Sequence, residues 1–161
     1  MFPGCPESGE ACLQRYRAWM DDYIRENGVP VKPGLRELLA WLKQAHILCA
    51  VATSTFTNVA IGYLKNAGVL NCFAAIVGGD QVTKSKPDPE IFQLAMRALG
   101  KQTPETCVVF EDSRNGLLAG ANGGFPVIVV PDLFDPTLEL PGLCYAKCAR
   151  LDEAIDVIQN S

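Results

Sequence analysis

The apolar positions of this chain follow two alternating periods. Leu13, Tyr16, Trp19, Met20, Tyr23 and Ile24 recur at three- and four-residue steps, the spacing that lines one face of a helix, so the pattern predicts an amphipathic helix over 8–27 that ends at Asn27-Gly28 and Pro30. Pro33-Gly34 opens a second helix, with Leu35, Leu38, Leu39 and Leu42 on one face, running to about Gln44. The period then changes. Ile47-Leu48-Cys49-Ala50-Val51-Ala52 is an unbroken apolar run that stops at Thr53-Ser54-Thr55, as expected of a parallel strand covered on both faces.

The alternation continues downstream. A helix is predicted over 57–67, a strand over 73–77 before Gly78-Gly79-Asp80, a helix over 88–99 and a strand over 107–110. Residues 114–122 predict a helix with Leu117, Leu118 and Ala121 inward, 126–130 a buried strand, and 151–159 a closing helix. Strands separated by helices define a doubly wound α/β domain, whose parallel strands are joined by right-handed crossovers. Repeats, low-complexity tracts and long linkers are absent from the sequence.

Composition narrows the setting. At 161 residues, one principal hydrophobic core is expected. No run approaches the roughly 18 apolar residues of a membrane span. Met1-Phe2-Pro3-Gly4-Cys5-Pro6-Glu7 lacks the basic start and apolar stretch of a signal peptide, so a cytoplasmic location is expected. A net charge of −4 without a Lys/Arg cluster argues against nucleic acid and anionic membranes as partners, which leaves a small molecule. The seven cysteines form no CxxC pair and read as reduced, structural thiols, Cys49 and Cys107 being small hydrophobes within strand patterns. Cys144 and Cys148 are the one close pair. With His46 the sole histidine, a zinc site is not expected.

The polar residues that punctuate the strands carry the chemistry. In open α/β sheets ligands bind beyond the carboxyl ends of the strands, where Thr53-Ser54 and Glu111-Asp112 fall. A hydroxyl beside backbone N–H groups at a helix start can hold phosphate oxygens, and Lys86 can neutralise them. Adjacent carboxylates at Glu111 and Asp112 can hold magnesium, a hard cation that takes oxygen ligands and keeps several waters. Charge cancellation of this kind is what phosphoryl transfer requires. Each element has a plainer reading: Thr53-Ser54 as a helix cap, Lys86 as an exposed loop lysine, and Glu111-Asp112-Ser113 as an acidic cap favoured by the helix dipole. Their coincidence at successive strand ends favours the chemical reading.

From about Pro33 to Val130 the chain resembles the haloacid-dehalogenase-like hydrolases, particularly the branch with a helical cap that includes phosphoglycolate phosphatase and β-phosphoglucomutase. The family's second motif is matched by Ala50-Val51-Ala52-Thr53-Ser54, its third by Ser85-Lys86-Pro87-Asp88-Pro89, and its fourth by Val109-Phe110-Glu111-Asp112-Ser113 followed by Asn115-Gly116. Pro33-Gly34-Leu35 matches the family's return from cap to core. The resemblance implies that Thr53, Ser54 and Lys86 bind the phosphoryl group, that Asp112 coordinates magnesium, and that Glu111 supports it through water or Lys86.

One element is missing. The family's first motif, an Asp-x-Asp-Gly sequence after the first strand, supplies the nucleophile and the acid/base aspartate, and it occurs nowhere here. Asp21-Asp22 is no substitute, because it lies in a helical pattern with no strand before it. The resemblance therefore implies an N-terminal truncation: residues 1–30 a remnant of the cap, and 31–161 the α/β core without its first, central strand. That strand would lie between those ending at Thr53 and Glu111. Its absence leaves costly unpaired ladders, so three outcomes are expected: direct pairing of those two strands, filling of the gap by a segment of another copy, or marginal stability with a tendency to associate through open edges. The implied function is a magnesium-dependent phosphatase or sugar-phosphate mutase acting on a small phosphorylated metabolite, with little or no turnover by this chain alone. The alternative is a non-catalytic binding or assembly module derived from such a hydrolase.

Overall fold

The computed structural model describes residues 9–160, apart from the side chain of Asp21. Cys5 and the predicted helix start at Ser8 lie outside the described residues. The chain divides into two compact units, 1–31 and 32–161.

In the first unit, helix α1 spans Gly9–Asn27, in agreement with the periodic pattern. The Gly28 N–H donates to the Ile24 carbonyl at 2.8 Å, and Gly28 takes a φ of 76°, which favours glycine and closes the helix. Tyr16, Trp19 and Tyr23 stack along one face, with successive ring centroids 6.3 and 5.6 Å apart. All three rings are exposed, as is Leu13.

The second unit contains α2 (Leu35–Gln44), β1 (Ala50–Ala52), α3 (Thr57–Asn66), β2 (Ala75–Val77), α4 (Glu90–Ala98), β3 (Val109–Glu111), α5 (Arg114–Asn122), β4 (Val127–Val129), β5 (Ala146–Lys147) and α6 (Ala154–Gln159). All strand pairs are parallel. In register, Val51 faces Ile76, Phe110 faces Ile128, and Ile128 faces Ala146. Strand alternation sends Val127 and Val129 into one cluster with Ile91, Phe92, Met96 and Leu117, and sends Ile128 and Val130 into another with Leu38, Leu42, Leu151 and Ala154. Helices thus cover both faces of the strands, as a doubly wound domain requires. In α5 the buried face is Gly116, Leu117, Ala119 and Gly120, so Leu118 and Ala121, expected inward, are only half-buried. Small residues take the inner positions there because the helix lies close to the strands: a Cβ on Gly120 would fall 2.4 Å from Val127 Cγ2.

The strands form two sheets, β1-β2 and β3-β4-β5. Direct pairing between the strands ending at Thr53 and Glu111, one of the expected outcomes, does not occur. Leu39 and Leu42 of α2 and Phe92, Ala95 and Met96 of α4 line a cavity of about 300 Å³ between the two edges, together with Ala50, Ala52 and Phe110. The ladder bonds that are made identify the groups facing this slot. Thr53 N–H donates to Val77 O, while Val109 N–H donates to Pro126 O and Glu111 O accepts from Val130 N–H. Odd-numbered residues therefore bond outward, to β2 or β4, and the peptide groups of Ala50, Ala52, Val108 and Phe110 face the slot.

Strand β1 is shorter than its hydrophobic run. Ile47 and Leu48 are 42% and 59% exposed, and Ile47 N–H turns back to the Leu42 carbonyl instead of joining a ladder. Strand β5 was not predicted, because two paired residues, one of them Lys147, carry no periodic signal. Among the described residues Cys12, Cys49, Cys72, Cys107, Cys144 and Cys148 are free thiols. Burial and then the neighbouring Cys72 raise the Cys49 thiol above its ordinary pKa. No helix among the described residues is long and apolar enough to cross a membrane.

Candidate active site

Above the slot lies a polar cavity of about 360 Å³, lined by Thr53, Ser54, Lys86, Glu111, Asp112 and Lys32 among others. The two spaces are neighbours, with Ala52, Phe110 and Leu151 lining both. All the residues singled out from the sequence are brought together here.

Thr53 and Ser54 follow β1 directly. The Thr55 N–H donates to Thr53 Oγ1 at 3.1 Å, which folds the chain into a tight turn after the strand. This turn rests on Gly78-Gly79: the Gly79 N–H donates to Thr55 O at 2.9 Å, and a Cβ on Gly79 would lie 2.5 Å from Ser54 O. Asp80 then accepts from the N–H and hydroxyl of Thr57 at 2.6 and 2.7 Å, securing the start of α3. The Thr57 hydroxyl, then its N–H, holds the Asp80 carboxyl below its ordinary pKa. In the sequence Gly78-Gly79-Asp80 reads only as a strand terminator. Its supporting role needs the parallel pairing of β1 with β2, which no local pattern specifies.

Lys86 reaches the site from the loop before α4. The Glu90 carboxylate gathers that loop, accepting from Thr83 N–H at 3.0 Å and Lys84 N–H at 2.7 Å. Those bonds, Thr83 first, lower the Glu90 pKa. The Lys86 ammonium lies 4.8 Å from the Phe92 ring centroid, a favourable cation–π placement, and it donates to Glu111. With side chains 12% and 8% exposed, Lys86 and Glu111 form a buried ion pair.

Glu111, the last residue of β3, also accepts from Ser113 Oγ at 3.0 Å and Asp112 N–H at 3.2 Å. Gly116 leaves room for it, since a Cβ there would fall 2.0 Å from the Glu111 carboxyl carbon. Ser113 caps α5 by accepting from Gly116 N–H at 3.0 Å. Asp112 is more open, at 41% exposed, and its partner is Lys32, whose Nζ lies 3.4 Å from Asp112 Oδ2 and 3.9 Å from Asp132 Oδ2. Sequence reasoning missed Lys32 and Asp132. Neither lies in a strand-end pattern, and only the folded chain brings them to Asp112.

Two carboxylates, each paired with an ammonium group, thus line one cavity together with Thr53 and Ser54. Among the described residues no group of three or more His, Cys, Asp or Glu is arranged to hold a metal. The donors present fit a magnesium ion of the kind that keeps most of its waters and takes one or two carboxylates from protein, rather than one held in an all-protein cage. They are also suited to an oxyanion held by hydroxyls and a lysine.

The parallel strands, the helices on both faces and the polar residues gathered at the strand ends are those of a doubly wound α/β domain with its candidate site at the carboxyl ends of the strands. The family model for haloacid dehalogenase-like hydrolases matches residues 4–124, and the chain belongs to that family. It is 42% identical over 103 residues to a phosphorylated carbohydrates phosphatase of Thermotoga maritima, covering 64% of this chain and 45% of that protein. To the protein CbbY of Cereibacter sphaeroides it is 38% identical over 122 residues, covering 74% and 53%. The chain therefore spans about half the length of these curated relatives. Among solved structures, a candidate β-phosphoglucomutase from Thermotoga maritima superposes with a TM-score of 0.80 at 31% identity, covering 98% of this chain and 72% of that one. CbbY from Rhodobacter sphaeroides in complex with phosphate superposes at 0.76 with 30% identity, covering 93% and 67%.

Proposed function

We propose that the chain is the phosphate-binding core of a magnesium-dependent phosphatase or sugar-phosphate mutase acting on a small phosphorylated metabolite, with little or no turnover by itself. The observation that carries this reading is the convergence of Thr53, Ser54 and Lys86 with Glu111 and Asp112 on one cavity at the strand ends. In it, the Thr53 and Ser54 hydroxyls and the Lys86 ammonium bind the phosphoryl oxygens. Glu111 fixes Lys86, and Asp112 holds magnesium, which when bound would neutralise charge on the transferring group. The relatives named for phosphorylated-carbohydrate phosphatase activity and for a phosphate complex point the same way.

Covalent transfer through an aspartyl-phosphate requires a carboxylate whose oxygen attacks phosphorus as the ester P–O bond breaks and the leaving oxygen takes up a proton. Glu111 is paired with Lys86 and Asp112 with Lys32, and residues 1–161 contain no Asp-x-Asp-Gly sequence. The slot between β1 and β3 adjoins the polar cavity, so an apolar strand running parallel to β1 and β3 in it would bring its carboxyl end to the site. In this reading such a strand supplies the nucleophile.

The test is release of phosphate from an aryl phosphate and a panel of sugar phosphates with magnesium present. The 161-residue chain is expected to be inactive, and to gain activity sensitive to Asp112→Asn when an apolar segment ending in Asp-x-Asp-Gly is joined before it. Turnover by the unextended chain that Asp112→Asn abolishes would overturn the proposal, as would no activity after extension. A second reading, a non-catalytic module that self-associates through the slot edges, draws on the unpaired peptide groups of β1 and β3. Concentration-dependent dimerisation by sedimentation, with the extended chain inactive, would favour it.

A further inference from the structure

Lys32 opens the second compact unit and has no counterpart among the residues to which the strand-end pattern points. Its ammonium is placed among three oxygens. It lies 3.4 Å from Asp112 Oδ2 and 3.9 Å from Asp132 Oδ2, and it donates to the Pro131 carbonyl at 3.4 Å. The side chain is only 28% exposed, less than the Asp112 and Asp132 side chains at 41% and 71%. Two carboxylate oxygens and a backbone carbonyl around one centre of positive charge are the donors a hard cation selects. The other cation of the cavity cannot take this role, because Lys86 is held by Glu111 and packed against Phe92.

We infer that Lys32 is a tethered counter-cation: its ammonium holds the position beside Asp112, and a divalent ion binds there only by displacing it. This rests on the reading of Asp112 as the metal-side carboxylate. The physical basis is a competition between two cations for one set of oxygens. A lysine ammonium is a compact point charge on a flexible four-carbon stem, so it can withdraw without disturbing the backbone. The divalent ion must then give up the attraction already satisfied between Lys32 and Asp112, and it must tolerate the ammonium as a like-charged neighbour. Lys32 therefore lowers divalent affinity while keeping the carboxylates charge-balanced in the metal-free chain. It is a positioning residue, acting through Asp112 rather than on substrate.

The experiment is a titration of the intact 161-residue chain with Mn²⁺ followed by electron paramagnetic resonance, which reads binding without turnover. Removing the charge in Lys32→Met is expected to tighten Mn²⁺ binding about two- to fivefold, the range that partly exposed ion pairs supply, whereas Lys32→Arg keeps the charge and binds no more tightly than the native chain. Lys32→Gln gives the same comparison should Lys32→Met lose its fold, which circular dichroism reports. Affinity in both neutral variants equal to or below that of the native chain overturns the role of Lys32 and leaves the phosphatase reading standing. Mn²⁺ binding that Asp112→Asn fails to weaken, in the native and Lys32→Met backgrounds alike, overturns both.

Discussion

The β3-β4-β5 side of the second unit and the β1-β2 side are written in the same apolar alphabet yet differ in how they are packed. Val127, Ile128 and Val129 of β4 are 1%, 0% and 0% exposed, because the strand has a neighbour on each edge and helices on both faces. Ala50, Val51 and Ala52 are all only half-buried, with β2 on one edge and the slot on the other. Hydrophobicity makes a segment capable of burial, and its neighbours decide whether burial is achieved.

The largest effect should come from the packed side. Ile128→Ala is expected to cost about 2–5 kcal/mol in urea unfolding, read as a lowered midpoint. Ala50→Val adds methyl groups at the slot and is expected to act in the opposite direction, by about 0.5–1 kcal/mol. A loss on Ala50→Val comparable to that of Ile128→Ala would mean that the slot side is already filled and would end the contrast.

The two ion pairs of the cavity repeat the contrast on a smaller scale. Glu111→Gln removes the partner of the mostly buried Lys86 ammonium and should cost about 1–3 kcal/mol. Asp112→Asn removes the partner of the more exposed Lys32 and should cost under about 1 kcal/mol. Equal losses in the two variants would show that burial does not separate these pairs.

The smallest effect concerns pH. Hydrogen bonds from Thr83 N–H, then Lys84 N–H, lower the Glu90 pKa in the folded chain. A depressed carboxyl stabilises the fold above its unfolded value, about 4.3, and that contribution disappears as pH falls through the folded value. The urea midpoint should therefore decline below about pH 4, and Glu90→Gln should flatten part of that decline. An unchanged acid limb in Glu90→Gln would remove the clamp from the account of how Lys86 is positioned.

What the sequence made legible follows from the range of the interactions concerned. The end of helix α1 at Asn27 and both bounds of helix α5 over Arg114–Asn122 match the prediction, because period and end signals are local. Thr53, Ser54, Lys86, Glu111 and Asp112 were legible as a group because strand ends of an open α/β sheet share one side of the domain. Lys32 and Asp132 were not, since their approach to Asp112 depends on where Pro33 and Pro131 turn the chain. The length of β1 was also hidden: Ile47 and Leu48 have the composition of a buried strand, yet both are exposed, and the Ile47 N–H bonds back to the Leu42 carbonyl at the end of α2. Gly116 carries its signal openly as a glycine, but the Glu111 carboxylate it accommodates emerges only from the packing of α5 on β3.

The slot has a further consequence for stoichiometry. A strand edge that faces outward offers a fresh edge each time it accepts a partner, and growth can continue without limit. Here the two edges confront one another across a single gap lined by Ala50, Ala52 and Phe110, so one incoming strand satisfies both and leaves nothing behind for the next. On the reading proposed above, recruitment through this opening would be self-limiting at one strand per chain.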